Sequence, residues 1–202
     1  MTAWIEKVVV SGVFSLDGQD FDVDNNVWLV GDDDEVLVID APHDAAPIVA
    51  AIGGRRVPAI VLTHGHNDHV TAAVALREAT GAPVWFNPAD RMLWDVVHPG
   101  AAPDEHLVEG ARFDVAGTTL VALHTPGHSP GSTCLHAPDL GTVFTGDTLF
   151  CGGPGATGRS YSDHPTIVES IRTRLLTLPG NTVVRTGHGD DTTISAETPN
   201  LS

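Results

Sequence analysis

The chain predicts an α/β fold, two packed sheets flanked by helices, on three observations. Short apolar runs that read as strands cluster together and are separated by runs with helical spacing. Glycine, proline and aspartate punctuate nearly every run. Four of the strand-like runs end in a histidine or an aspartate, where loops gather side chains from distant parts of a chain. At 202 residues there is room for one sizeable core, and no charge run or low-complexity linker divides it, so residues 1–202 are expected to form a single domain.

The elements follow in order. Lys7 to Phe14, Asn26 to Val30 and Val36 to Ile39 predict strands with turns between them. His43 to Ile52 has helical spacing and stops at Gly53-Gly54. Ala59 to Leu62 predicts a buried strand, and Asp68 to Ala79 a helix stopped by Gly81. Val84 to Phe86 is a short strand, followed by a helix over Pro88 to Val97. Strands are then expected near Arg112 to Val115, Thr118 to Leu123, Ser132 to His136 and Thr142 to Phe144. A helix over Pro165 to Leu176 precedes a final strand, Thr182 to Thr186.

The run Thr63-His64-Gly65-His66-Asn67-Asp68-His69 follows the buried strand directly. His64 and His66, two apart in an extended stretch, point to the same side and can chelate one ion. Asp68 and His69 sit where the chain turns and are free to face a second. A loop before a helix needs polar residues, but it does not need three histidines. Imidazole and carboxylate suit Zn, Fe, Mn or Co. The other strand-end stations supply His128 in Thr125-Pro126-Gly127-His128, Asp147 after Thr142 to Gly146, and His188 after Thr182 to Gly187.

This pattern, His64-x-His66-x-Asp68-His69 followed by His128, Asp147 and His188, resembles the metallo-β-lactamase superfamily in its glyoxalase II-like branch. The resemblance covers nearly the whole chain and implies an αββα sandwich with two metal ions at one sheet edge. By position, it implies that His64, His66 and His128 hold the first ion. Asp68, His69 and His188 would hold the second, with Asp147 shared between them. Zinc is the expected metal, with iron or manganese as alternatives. The commonest zinc β-lactamases carry a cysteine where this chain has Asp147, which argues against a β-lactam role. Glyoxalase II grips glutathione partly through a helical C-terminal domain. This chain ends about a dozen residues after His188, so that domain is expected to be absent.

The formal charge of −16, from 26 acidic and 10 basic residues, makes nucleic acid a poor partner. Asp32-Asp33-Asp34-Glu35 is read as a solvated turn. No apolar stretch approaches ~18 residues and the start lacks a signal-peptide pattern, so no membrane partner and a cytoplasmic location are expected. Cys134 and Cys151 are too few for a disulfide framework or a thiolate cluster.

The resemblance therefore implies a binuclear metal-dependent hydrolase, in which a metal-bridging hydroxide attacks the carbonyl of a small thioester. Asp68 would orient the hydroxide and Asp147 would set the spacing of the ions, about 3.5–4 Å. A thiol pKa near ~8.5 makes thiolate a good leaving group without a strong acid. The substrate expected is an S-acyl or S-formyl conjugate of a low-molecular-weight thiol. The single Lys7 against nine arginines hints at a GC-rich genome, and so at mycothiol. The alternatives are a mononuclear iron persulfide dioxygenase using His64, His128 and Asp147, or a lactonase, of the same fold.

The glycine-rich loop Phe150 to Tyr161 leaves amides exposed near Asp147, and Arg159, Ser160 and Tyr161 are its candidate substrate contacts. Against this, Arg159 can equally brace its own loop. Asp40, at another strand end, is a candidate to orient a ligating imidazole. His43 beside it is read either as the first turn of a helix or as part of the site. His98, His106, His124, His136 and His164 are read as surface or core residues. The chain is expected to be a monomer or a homodimer.

Overall fold

Runs such as Val27–Val30 and Val36–Ile39 are apolar at every position, so neither face of the strands they form can be left to water. The computed structural model, which describes residues 3–201, covers both faces. β1 (Trp4–Leu16) and β2 (Gln19–Gly31) form a long antiparallel hairpin. β3 (Val36–Ile39), β4 (Ile60–Val61), β5 (Val84–Phe86) and β6 (Glu105–His106) extend this first sheet in sequence order, parallel from β3 onward.

The second sheet begins with β7 (Arg112–Val115), β8 (Thr118–His124), β9 (Thr133–Ala137) and β10 (Thr142–Gly146). A small hairpin of β11 (Leu149–Phe150) and β12 (Gly153–Pro154) then leads toward β13 (Val183–Thr186) and β14 (Thr192–Thr193). The sheet order is β14-β13-β10-β9-β8-β7.

Three apolar layers hold the sheets together. Trp28, Val30, Leu37 and Ile39 face Phe113, Leu120, Leu135 and Phe144 between the two sheets. The alternate residues Val27, Leu29, Val36 and Val38 face outward, under α1 (Ala45–Ile52), α3 (Ala73–Thr80) and α4 (Arg91–Val97). On the far side, Val143 and Val184 pack on Ile167, Ile171 and Leu175. Those residues come from α5 (His164–Ser170) and the wider π turn that continues it. Each fully buried Leu, Ile or Phe contributes about 1.5–3 kcal/mol, so three such layers dominate the stability. The order helix, sheet, sheet, helix is the αββα sandwich.

The first hairpin is longer than the expected strands at Lys7 to Phe14 and Asn26 to Val30. Its tip is Asp17-Gly18, both left-handed with φ of 54° and 72°, the conformation a two-residue hairpin turn requires. Its outer half alternates polar and apolar residues and stands out from the sheet, so composition alone reads as loop. The helix expected over Asp68 to Ala79 is divided into α2 (Asn67–Val70) and α3, because the Ala72 amide bonds Ala41 O at 2.9 Å and leaves the helical ladder. β6, β11, β12, β14 and α6 (Ile194–Glu197) are too short to show in a periodicity. Among the described residues, no helix is long and apolar enough to cross a membrane.

Candidate metal centre

Parallel strands stop at the same sheet edge, and that edge carries the site. β4 delivers Thr63 to His66, and the chain turns there into α2, which presents Asp68 and His69 in its first turn. The loop after β8 delivers His128, the end of β10 delivers Asp147, and the loop after β13 delivers His188. Two triads result, His64/His66/His128 and Asp68/His69/His188, with the ligating atoms of each within 4.8 Å of one another. Asp147 lies between them: Oδ1 is 3.3 Å from His69 Nε2, and Oδ2 is 3.6 Å from His128 Nε2 and 3.4 Å from His188 Nε2.

Hydrogen bonds on the far side of each ring set its direction. His64 Nδ1 lies 3.1 Å from Thr63 Oγ1, whose own proton goes to Asp40 Oδ2, so His64 is the donor there. His128 Nδ1 donates to Ala156 O at 2.9 Å, His69 Nδ1 to Asp40 Oδ2 at 2.9 Å, and His188 Nδ1 to Asp24 O at 2.8 Å. Ligating imidazoles are usually held by such outer partners. His64 Nε2 and His128 Nε2 are therefore lone pairs, each 3.0 Å or close to it from His66 Nδ1, which can carry only one proton between them. Buried Asp68 Oδ1 and His66 Nε2 have no hydrogen-bond partner. A divalent cation fits the first triad, because it satisfies lone pairs that otherwise face one another, and Asp68 Oδ1 offers a cation in the second an unpaired carboxylate oxygen.

The two halves differ in charge. Burial keeps His64 and His66 neutral, with the neighbouring rings adding to it; His66 is lowered to about 3. Burial also opposes charge on His188, but Asp147 and Asp68 outweigh it and raise the ring to about 10. His69 is likewise raised well above its usual value: burial is overcome by Asp147, Asp68 and Asp40. Without metal, the carboxylate half is thus neutralised by protons at neutral pH, and a cation must displace them. Zinc uptake by metal-free protein at pH 7.5 is expected to release about one or two protons per chain. A binding enthalpy that does not change between buffers of different ionisation heat would refute this.

Asp40 takes the role expected of it. It stands at φ 65°, a left-handed conformation costing about 1–3 kcal/mol in a non-glycine residue. That turn lets one carboxylate accept from Thr63 N, Thr63 Oγ1 and His69 Nδ1 at 2.7–2.9 Å. Gly187, just before His188, passes so close to Asp147 Oδ1 that a Cβ would collide with it and lie 2.9 Å from His69 Cε1. His98 is half-buried, packed on Trp94 and bonded to Val70 O at 2.8 Å.

Three residues at the centre are not singled out by the sequence. Asn26 donates from Nδ2 to Thr186 O and Gly189 O at 3.1 and 3.0 Å, tying the first sheet to the His188 loop. Asp90, buried, accepts from Gly65 N, Ser129 Oγ and Gly131 N at 2.6–2.8 Å, and so locks the His64–His66 loop to the His128 loop. Asn25, fully buried, points its amide at Asp68, His69 and His188. The signal for the asparagines is in the sequence: two adjacent amides at the mouth of an apolar strand need buried partners.

A cavity of about 460 Å³ opens over the triads, walled by Phe14, Val23, Phe150 and Ala156. Arg159 closes on the hairpin instead of lining this cavity: it stacks 4.6 Å over Phe21 and donates to Gln19 Oε1 at 3.0 Å. Ser160 N bonds Asp17 Oδ2 at 3.0 Å. Ser160 and Tyr161 line a second cavity of about 230 Å³, which shares His66 with the first. Cys134 is buried within the outer layer, and Cys151 is exposed on the β11–β12 turn.

A two-sheet sandwich with histidines and aspartates converging in two triads at one sheet edge defines a metal-dependent enzyme class. Residues 21–188 match the family model of the metallo-β-lactamase superfamily, and the chain belongs to that superfamily. It is 34% identical to the probable metallo-hydrolase YqgX of Bacillus subtilis, over 85% of this chain and 88% of that one. It is also 34% identical to the hydroxyacylglutathione hydrolase GloC of Haemophilus influenzae, over 85% and 89%. The crystal structure of TTHA1623 in a di-iron-bound form superposes with a TM-score of 0.77 at 33% identity, over 87% of this chain and 93% of that one.

Proposed function

We propose that the protein is a binuclear metal-dependent hydrolase of small thioesters. One observation carries the reading: the two triads meet at the carboxylate of Asp147, and in that buried cluster Asp68 Oδ1 and Asp147 Oδ1 have no hydrogen-bond partner. His64, His66 and His128 would hold one divalent ion, and Asp68, His69 and His188 the other. Such ions would polarise an acyl carbonyl and lower the pKa of water to about 7.

The chain's own groups complete the chemistry. Asp68 Oδ1, buried and without a partner, is the atom available to hold the proton of an attacking water. Burial opposes ionisation of Asp68, but His69 and His188 overcome it and keep the carboxyl below its usual value, so it is an acceptor at neutral pH. Phe14, Val23 and Phe150 shield the acyl group from bulk water. Among the described residues lining this cavity, the groups that can carry a proton are Asp24 and the histidines and aspartates that would hold the ions, which leaves no separate acid for a leaving group. A thiolate, with a conjugate acid near ~8.5, needs none; an alkoxide or an amine does. This supports thioesters over lactones and β-lactams, and it accords with the hydroxyacylglutathione hydrolase named among the relatives.

The test is metal content on protein purified without chelators, followed by a panel of S-acyl and S-formyl conjugates of glutathione and mycothiol. About two divalent ions per chain with thioester turnover well above that of matched lactones is the expected result. A single iron per chain with oxygen uptake on a persulfide would overturn it in favour of the dioxygenase.

A further inference from the structure

Besides the shared Asp147, a further side chain closes on the second triad. Asn25 Nδ2 lies 3.1 Å from Asp68 Oδ2, 3.2 Å from His69 Nε2 and 3.3 Å from His188 Nε2. Those three atoms are in turn 3.2, 3.3 and 3.6 Å apart. Four atoms with such edges form a near-regular tetrahedron, whose centre lies roughly 2 Å from each, the distance at which zinc holds nitrogen and oxygen ligands. Asn25 is fully buried on β2, so its amide has no solvent to turn toward.

An amide nitrogen has no lone pair to give a metal, but the oxygen at the other end of the same planar group has two. A half-turn of the amide exchanges them in nearly the same volume. The partner on the other side permits both states. His43 Nε2 is 2.8 Å from Asn25 Oδ1. It donates to that oxygen when it carries the proton, and accepts from the amide N–H₂ when the proton sits on Nδ1. His43 is held there by a left-handed backbone at φ 47°, and by Gly12, where any Cβ would collide with the ring.

We propose that Asn25 is a ligand of the second cation through its side-chain oxygen, with His43 as the residue that holds the turned amide. In the metal-free chain the amide N–H₂ donates to Asp68 Oδ2; when the cation takes the place of the protons on His69 and His188, the amide turns and its oxygen faces the metal. The proposal rests on the binuclear reading above and adds a residue that the strand-end histidine pattern does not contain.

Zinc titration of metal-free protein against a chromophoric chelator tests it, because stoichiometry and the two dissociation constants are read without any substrate. Asn25→Ala is expected to weaken the second zinc at least about tenfold and leave the first unchanged, and His43→Ala to weaken the second zinc by a smaller factor. Asn25→Asp, which keeps the shape and adds charge, is expected to tighten it. This variant decides the matter should the alanine variant not fold: a looser second zinc in Asn25→Asp overturns the proposal. Two zinc ions bound with unchanged constants in Asn25→Ala overturn it alone, and a tighter second zinc there shows that the amide obstructs the site. A wild-type chain that takes up only one zinc overturns both this proposal and the binuclear reading.

Discussion

Asp147→Asn is expected to remove at least one metal ion per chain and to lower thioester turnover by about a hundredfold or more. Both Asp147 oxygens reach the second triad, Oδ1 at His69 and Oδ2 at His188, and Oδ2 also reaches His128 of the first. An asparagine keeps the shape but replaces one anionic oxygen with an N–H₂ that must point at one triad and cannot ligate. It also removes the charge that raises His69 and His188, so those rings lose their protons more readily while the cation loses a counter-charge. Elemental analysis beside a turnover assay measures both effects. Unchanged metal content with unchanged activity would rule out a shared carboxylate.

Asp90→Ala is expected to destabilise the metal-free protein by about 3–5 kcal/mol, although Asp90 is in neither triad. One buried carboxylate satisfies two backbone amides and a hydroxyl from two loops far apart in sequence. Its removal strands Gly65 N and Gly131 N in the interior and opens a gap between the His64–His66 and His128 loops. Ser129 Oγ can fall back on Ser132 Oγ, 2.9 Å away, so the two amides carry most of the loss. Asp90→Asn is expected to fall between, since its amide keeps one acceptor and sets an N–H₂ against a donor. Urea denaturation of both variants measures the effect, and a loss below about 1 kcal/mol in the alanine variant would show that water replaces the carboxylate.

Much of the fold is legible because burial on both faces leaves a plain mark: Val27–Val30, Val36–Ile39 and Ala59–Leu62 have no polar side to offer solvent. The outer half of the first hairpin is not legible in that way. Residues 15–25 are held by pairing and by the Asp17-Gly18 turn, and Asn67 ties them down by accepting from Ser15 N and donating to Val13 O, both at 2.8 Å. The division of α2 from α3 is equally invisible, because it follows from an acceptor at Ala41, outside the helix.

The sequence by itself determined the chemistry of the centre: three histidines and an aspartate packed behind a buried strand, and three more strand ends carrying His128, Asp147 and His188. Ligand types and their order along a chain are local properties. Only the tertiary structure decided which nitrogen of each ring faces inward, that Asp90 and Asn25 lie against the centre, and that Arg159 clasps the hairpin. Those outcomes depend on hydrogen-bond partners 18 to 164 residues away, such as Asn25 for His43 and Asp24 O for His188, which meet only when both sheets are folded. A side chain's direction is set by what it touches, and a linear pattern does not contain that contact.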